Sequence, residues 1–212
     1  MPASNTSTWS ANWAAPSEHM ARRDTRELIL TTSLELFNEF GEPNVTTNHI
    51  ADEADISPGN LYYHFRKKDD IVVELCQRFL SRLQPLIEIP EDSLLQAVDL
   101  WVQLHLSLEV KGEYRFLYQN LADLTRRIPD LDRAMRGLLV RERQSAWNSL
   151  SGLENTGTLS ILPLQKEMLT DSLLLSLTYW VSFADLFEAG GMDDGSAQVN
   201  AIARVMMPVS YT

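Results

Sequence analysis

The segment 46–68 constrains the fold more than any other part of the chain, because it places two short helices on either side of a tight turn. A threonine pair at its start can cap a first helix over residues 48–54. After a two-residue connection, Ser57 can cap a second helix over 58–65. Pro58 suits the first position of that helix, where its missing N–H would have no partner. This spacing predicts a helix-turn-helix, which lays its second helix in the major groove of DNA.

The apolar residues of this segment support the same arrangement. Ala51 is small at the point where the two helices must cross closely, four residues before the turn residue Asp55. The predicted apolar seam consists of Ile50, Ala54, Ile56, Leu61 and Phe65. A seam of this kind buries one side of the second helix and leaves the other side for a partner.

The outer face of the second helix has residues that suit a nucleic acid. Leu61 sets the buried direction, so Gly59 and Tyr63 point almost directly outward. Asn60 and Tyr62 flank them. Glycine allows close backbone approach, asparagine can pair with adenine, and tyrosine can contact thymine methyls or donate to phosphates.

Helical spacing of apolar residues continues along the rest of the chain, with no strand-like alternation to compete with it. The predicted class is all-α: a disordered leader over 1–20, a three-helix DNA-binding domain over 21–68, and a larger helical domain for ligand binding and dimerisation over 69–212. An alternative translation start at Met20 stays open. The predicted helices beyond the segment 46–68 are 25–40, 68–84, 91–110, 113–125, 129–150, 165–189 and 195–207, with Pro85 as a helix stop and 152–157 as a loop.

The net charge and the cysteine content limit the classes of function that this chain can have. A net charge of −11 and a pI near 4.8 exclude a protein that coats nucleic acid through its overall charge. Binding must rest on two local basic patches. One is Arg22, Arg23 and Arg26 at the start of the first helix, and the other is Arg66, Lys67 and Lys68 after the second short helix. The single cysteine cannot form an intramolecular disulfide, and 1–20 lacks the pattern of a secretory signal, so we expect a cytoplasmic protein.

No enzyme signature is visible. The sequence contains no nucleophile and base set, no metal-ligand spacing and no glycine-rich phosphate loop, so we expect no catalytic residue, no metal and no cofactor. A non-enzymatic alternative is a helical ligand-binding dimer that keeps the fold but has lost operator binding, because acidic residues surround the first short helix.

The segment Thr46 to Ile71 closely resembles the DNA-binding domain of the TetR family of bacterial regulators. The resemblance rests on Ile-Ala-x-x-Ala at 50–54, on Leu-Tyr-Tyr-His-Phe at 61–65, and on the basic and acidic pairs at 67–70. It implies a homodimeric repressor that leaves a pseudo-palindromic operator when a small molecule binds. Asp55 departs from the glycine usual in the family, although aspartate tolerates a left-handed backbone.

The resemblance also implies roles for individual residues at the DNA. Contacts to phosphates are expected from Thr47, Ser57, Tyr62, His64 and Lys68. Contacts to base edges are expected from the start of the second helix, which contains Pro58, Gly59, Asn60 and Tyr63. His64 taken alone has a second interpretation, as an ordinary surface residue.

Two further expectations concern the part of the chain after residue 90. Its aromatic residues predict an apolar cavity for a small organic effector, or else an ordinary core. The candidate pocket residues are Trp101, His105, Tyr114, Leu117, Tyr118, Trp147, Trp180 and Phe183. The apolar run 173–187 predicts that the helices at 165–189 and 195–207 form the dimer interface.

Overall fold

The computed structural model of the protein describes residues 18–188, and all of the regular structure in that range is helical. The all-α class predicted from the sequence is therefore confirmed. Most of the predicted leader and the whole predicted helix at 195–207 lie outside the described residues. The helices are α1 (Glu18–Phe40), a 3₁₀ turn (Glu42–Asn44), α2 (Thr47–Glu53), α3 (Pro58–His64), α4 (Lys68–Ile87), α5 (Ala97–Glu113), α6 (Arg115–Gln119), α7 (Leu121–Arg127), α8 (Pro129–Asn155) and α9 (Pro163–Glu188).

Side-chain caps fix the ends of the two short helices α2 and α3. The backbone N–H of His49 donates to the Thr46 hydroxyl at 3.2 Å, and that of Asn60 donates to the Ser57 hydroxyl at 3.2 Å. Asp55 between the helices has φ +50°, the left-handed conformation that reverses the chain in so short a turn. The helix-turn-helix predicted from the sequence is present.

A continuous apolar core joins these helices to the rest of the chain. It runs from Ile29 and Phe37 in α1, through α2, α3 and α4, to Leu138 in α8. Phe37 and Phe116 contact each other with ring centroids 5.2 Å apart. Cys76 belongs to this core, and burial raises the pKa of its thiol to about 11. The long helix α4 thus connects the N-terminal helices with the C-terminal body.

A second, smaller core lies between α5, α8 and α9. Its buried residues are Leu100, Leu104, Leu108, Ala146, Leu150, Leu153, Leu159 and Leu173. Unusually many polar side chains are buried around it, including Lys111, Glu142 and Ser149. The C-terminal body therefore has an apolar core whose centre is partly polar.

Several predicted helix limits are wrong, including the start of the first helix, since α1 already begins at Glu18. Pro85 does not end α4, which continues to Ile87. A proline near the end of a helix removes only one backbone hydrogen bond, and Ile87 is buried beyond it. The predicted helix 113–125 is two helices, α6 and α7, because four of the five residues in 114–118 are buried. A single straight amphipathic helix cannot turn so many successive residues inward.

The segment 91–110 and the loop at 152–157 are also corrected. Helix α5 begins only at Ala97, since the non-helical residues before it pack on α8, where the N–H of Leu95 donates to the Gly152 carbonyl at 3.2 Å. Gly152 lies inside α8. A Cβ built on it would come within 2.8 Å of Leu95 Cγ and 3.0 Å of the Ser93 carbonyl oxygen. Glycine here permits close packing and does not end the helix.

Candidate nucleic-acid interface

The outer face of α3 is exposed as the sequence pattern predicts. Tyr63 is 62% exposed and Tyr62 is 49% exposed, whereas Leu61 in the same helix is completely buried. Pro58, Gly59 and Asn60 are exposed at the start of the helix. The structure therefore places all the expected base-reading residues on one accessible surface.

Hydroxyl groups line the edge of this surface where α2 meets α3. The hydroxyls of Thr47 and Tyr62 share a hydrogen bond of 3.1 Å, which links the start of α2 to α3. The Ser57 hydroxyl accepts the capping hydrogen bond and retains its own proton for donation. Two of the five residues expected at phosphates, Thr47 and Tyr62, are thus in contact, and a third, Ser57, caps α3.

His64 and Arg26 have contacts within the protein. The rings of Tyr63 and His64 meet edge to face, with centroids 5.3 Å apart. Arg26 donates to the His64 carbonyl at 3.2 Å, forms an ion pair with Glu74, and lies 4.3 Å above the centre of the Phe65 ring. Arg26 therefore braces α3 against α4. The side chains of Arg22 and Arg23 lie outside the described residues.

Lys68, expected at a phosphate, is enclosed by three oxygens of the protein. Its ammonium donates to the carbonyls of Glu42 and Val45 at 2.7 and 2.8 Å, and lies 3.0 Å from the Glu42 carboxylate. That carboxylate is almost completely buried and also accepts from Arg127 at 2.7 Å. Sequence reasoning missed Glu42 and Arg127, because their contacts join residues up to 85 positions apart. Exposed cations close to α3 are Arg66 and Lys67.

These contacts give Lys68 a measurable structural role. We expect Lys68→Met to lower the free energy of unfolding by about 1–3 kcal/mol, because it leaves two buried carbonyls and a carboxylate short of a donor. Lys67→Met is the matched control, since the Lys67 side chain is 68% exposed. Urea unfolding of both variants measures the difference. Equal stabilities, combined with a weaker salt dependence of DNA binding for Lys68→Met alone, would favour a pure phosphate contact instead.

The predicted pocket residues do not come together around one cavity. Tyr114, Leu117 and Tyr118 belong to the large core. Trp101 stacks on His105 at 5.1 Å on the outer side of α5. Trp147 lies under the ammonium of Lys166, and Trp180 packs against the second core. The side chain of Phe183 lies outside the described residues.

A different set of residues surrounds a cavity between α4, α5, α8 and α9. Its volume is about 20 Å³, which is room for one water molecule. Its apolar wall includes Leu100, Leu104, Leu173 and Leu177. Its polar wall consists of Gln103, Ser107, Glu142, Ser145 and Ser149. A signal for these residues exists in the sequence, because 103, 107 and 111 on α5, and 142, 145 and 149 on α8, recur at helical spacing.

Behind the polar wall lies a buried ion pair. The ammonium of Lys111 is 2.6 Å from Glu142 Oε1, donates to the Leu177 carbonyl at 3.0 Å, and lies 5.2 Å from the centre of the Tyr118 ring. Burial, followed by the negative charge of Glu142, raises the pKa of Tyr118 well above its usual value, so this phenol stays neutral. Gln103 donates to Ser145 and accepts from Ser149, both at 2.9 Å.

No helix among the described residues is long and apolar enough to cross a membrane. No cluster of three or more His, Cys, Asp or Glu side chains within residues 18–188 has the arrangement of a metal site.

A capped helix-turn-helix with an exposed reading face, on an all-helical body, defines the class of helix-turn-helix transcriptional regulators. Residues 29–75 match the family described as bacterial regulatory proteins, tetR family, and residues 78–210 match the TetR bacterial transcriptional repressors. The chain belongs to the TetR family.

Individual relatives agree. A TetR-family regulator from Marinobacter aquaeolei has a TM-score of 0.78 and 32% identity, covering 86% of this chain and 88% of that one. The HTH-type transcriptional repressor KstR2 of Mycolicibacterium smegmatis is 28% identical over 121 residues, 55% of this chain and 58% of that protein. An uncharacterized HTH-type regulator of Xanthobacter autotrophicus is 33% identical over 67 residues, 32% of this chain and 33% of that protein. The match spans less than two thirds of these two curated relatives.

Proposed function

We propose that this regulator is a cytoplasmic repressor that binds a pseudo-palindromic operator as a homodimer and leaves it when a small molecule binds. The observation that carries this is the outer face of α3, which exposes Asn60, Tyr62 and Tyr63 while Leu61 anchors the helix in the core. The KstR2 relative is named a repressor, which supports repression as the direction of regulation. We propose no catalytic activity and no cofactor, in keeping with a family of transcriptional regulators.

The proposed DNA-binding residues divide by chemistry. Base edges are read from the exposed start and outer face of α3, and phosphates are held by hydroxyls and imidazole around it. The proposed set is Thr47, Ser57, Pro58, Gly59, Asn60, Tyr62, Tyr63 and His64. Lys68 is not included in this set, because its ammonium contacts Glu42 and Val45 within the protein.

Base reading by α3 has a direct test. We expect Asn60→Ala and Tyr63→Ala each to weaken operator binding by about 1–3 kcal/mol while leaving helicity unchanged, because each removes an exposed contact to a base. The operator is first selected from random DNA, and binding is then titrated on the selected and on a scrambled sequence. Asn155→Ala, at the far end of α8, is the control. Unchanged operator affinity in both α3 variants would exclude α3 as the reading helix.

The competing function is a dimer of the same fold that no longer binds DNA. It is favoured by the exposed acidic residues Asp52, Glu53 and Asp55, which lie next to the proposed reading surface and repel phosphates. This alternative would be supported if selection from random DNA enriched no sequence and the protein bound all DNA equally weakly at two salt concentrations.

The dimer interface is proposed on α9. Leu164, Met168, Leu175 and Tyr179 recur at helical spacing on its outer side, and each is at least 60% exposed. The opposite side of α9, including Thr170 and Leu173, packs on α8 and α5. An apolar stripe of this length is typical of a protein interface. The second predicted element, 195–207, lies outside the described residues.

A charge in this stripe should separate the protomers. We expect Leu175→Glu to raise the dimer dissociation constant at least about a hundredfold, because an unpaired charge would be buried in the interface. Leu94→Glu, which changes an equally exposed leucine before α5, should leave the dimer intact. Sedimentation velocity at micromolar concentration distinguishes the two. A wild-type monomer, or equal behaviour of both variants, would count against an interface on α9.

The division into a DNA-binding domain over 21–68 and a ligand-binding and dimerisation domain over 69–212 remains part of the proposal. Helix α4 joins the two, and Arg127 of α7 reaches back to Glu42 and to Asp69 at 3.4 Å. Asn38 of α1 donates to the Glu113 carbonyl and accepts from the N–H of Phe116. These contacts provide a path by which a change among α5–α9 can alter the position of α3.

A further inference from the structure

The cavity between α4, α5, α8 and α9 has a built polar wall that packing alone does not require. Glu142 lines the cavity and is 4% exposed, and its Oε2 accepts no hydrogen bond. Buried acceptors in native proteins are normally paired, and a buried carboxylate oxygen has a stronger need for a donor than a neutral one. The cavity therefore presents an acceptor without a donor.

The charge at this wall is already balanced. Lys111 is completely buried, does not line the cavity, and uses its ammonium on Glu142 Oε1 and the Leu177 carbonyl. A cationic ligand at Glu142 would lie close to that ammonium, and an anionic ligand would face the carboxylate itself. Either would bring a buried charge without a partner of its own. A neutral group that donates a hydrogen bond would satisfy the Glu142 oxygen without adding a buried charge.

The rest of the wall limits the ligand further. Gln103, Ser145 and Ser149 are bound to one another in a chain of hydrogen bonds, which holds their polar groups in place beside Glu142. Facing them, Leu100, Leu104, Leu173 and Leu177 offer only apolar contact. One end of the ligand must be polar and the other end must be apolar.

We propose that this cavity is the effector site and that it takes a neutral small molecule with an apolar body and a hydroxyl group that donates to Glu142. This inference rests on the proposed function, since it names the class of effector. It differs from the largely apolar pocket of aromatic residues that the sequence predicts. Of those eight residues, the seven whose side chains the structure describes do not line the cavity.

Binding of such a molecule requires the cavity to enlarge, because about 20 Å³ holds only one water. Leu173 and Leu177 belong to α9, and the bond from Lys111 to the Leu177 carbonyl ties α9 to α5. Displacement of α9 from α5 opens the cavity and moves the helix proposed to carry the dimer interface. Effector binding would thereby change the spacing of the two α3 helices in the dimer.

Four compounds with one common body test the proposal on the full chain. They are benzyl alcohol, toluene, benzylamine as its cation, and benzoate. Affinity is measured by calorimetric titration and by the shift in melting temperature. We expect benzyl alcohol to bind at least about tenfold more tightly than each of the others, because only it offers a neutral hydroxyl donor.

Variants place the effect at Glu142. The double variant Lys111→Met with Glu142→Leu removes both partners of the ion pair, which preserves the fold better than removing one. Circular dichroism checks that the double variant is folded. We expect the double variant to lose the preference for benzyl alcohol. Glu109→Gln, which changes an exposed carboxylate on the outer side of α5, should keep the preference.

Three results would overturn the proposal: equal binding of toluene and the alcohol, a preference that survives in the double variant, and no binding of any probe at its solubility limit. Operator binding is measured separately, without probes. Sequence-specific DNA binding without probe selectivity rejects only the effector class. Probe selectivity without DNA binding rejects only the repressor function.

Discussion

Replacing Lys111 with methionine is expected to lower the free energy of unfolding by about 3–5 kcal/mol, because it leaves the buried Glu142 carboxylate without its countercharge. Lys111 is completely buried, and its ammonium contacts Glu142 Oε1 and the Leu177 carbonyl. The methionine side chain replaces most of the apolar contact of the lysine chain. The loss therefore comes from the charge and its hydrogen bonds.

Urea unfolding of the single and double variants separates charge from packing. We expect Lys111→Met with Glu142→Leu to recover most of the stability, since a buried ion pair replaced by apolar side chains is often neutral in free energy. Arg143→Met is a surface control: its pair with Asp171, at 2.8 Å, is about half exposed and should contribute less than about 1 kcal/mol. A single variant as stable as the Arg143 variant would show that Glu142 and Lys111 do not depend on each other.

Local signals in the sequence were enough to predict the helix-turn-helix. The caps Thr46 and Ser57, the turn at Asp55 and the buried direction set by Leu61 each depend on residues within four positions of one another. Such interactions act in a segment whatever the rest of the chain does. For the same reason the exposure of Asn60 and Tyr63 followed directly from helix geometry.

Contacts between distant segments were beyond the sequence pattern. The resemblance implies a phosphate contact for Lys68, and the structure adds partners within the protein, Glu42 and Val45, which lie more than 20 positions away. The sequence pattern predicts a loop at Gly152, but Gly152 lies within α8, where it allows Ser93 and Leu95 to pack closely against the helix. In both cases the tertiary neighbour, and not the local sequence, determines what the residue does.

The described residues of the predicted pocket lie away from the cavity for a related reason. Aromatic residues are large and apolar, so they were expected to line a cavity, yet Tyr114 and Tyr118 fill the core between α4 and α6. The cavity is lined instead by aliphatic side chains on one wall and, on the other, by polar residues that include the small Ser145 and Ser149. Large side chains close the space they occupy, whereas small ones leave it open.

Leu61→Ala is expected to lower the free energy of unfolding by about 2–5 kcal/mol, because Leu61 is completely buried where α3 packs on its neighbours and alanine leaves a cavity there. The core around Leu61 is continuous with that of α4, so the loss should appear in the main unfolding transition measured with urea. DNA binding should fall in parallel with the folded fraction of the N-terminal helices.

The contrast with Tyr63→Ala, two residues away on the opposite face of α3, makes the origin of the loss measurable. An osmolyte that favours the folded state should restore operator binding to Leu61→Ala, whose reading residues are intact, and should leave Tyr63→Ala weak. Full stability in Leu61→Ala would mean that α3 is not anchored through this side chain. Rescue of both variants would mean that Tyr63 acts through folding, and the outer face of α3 would lose its role as the reading surface.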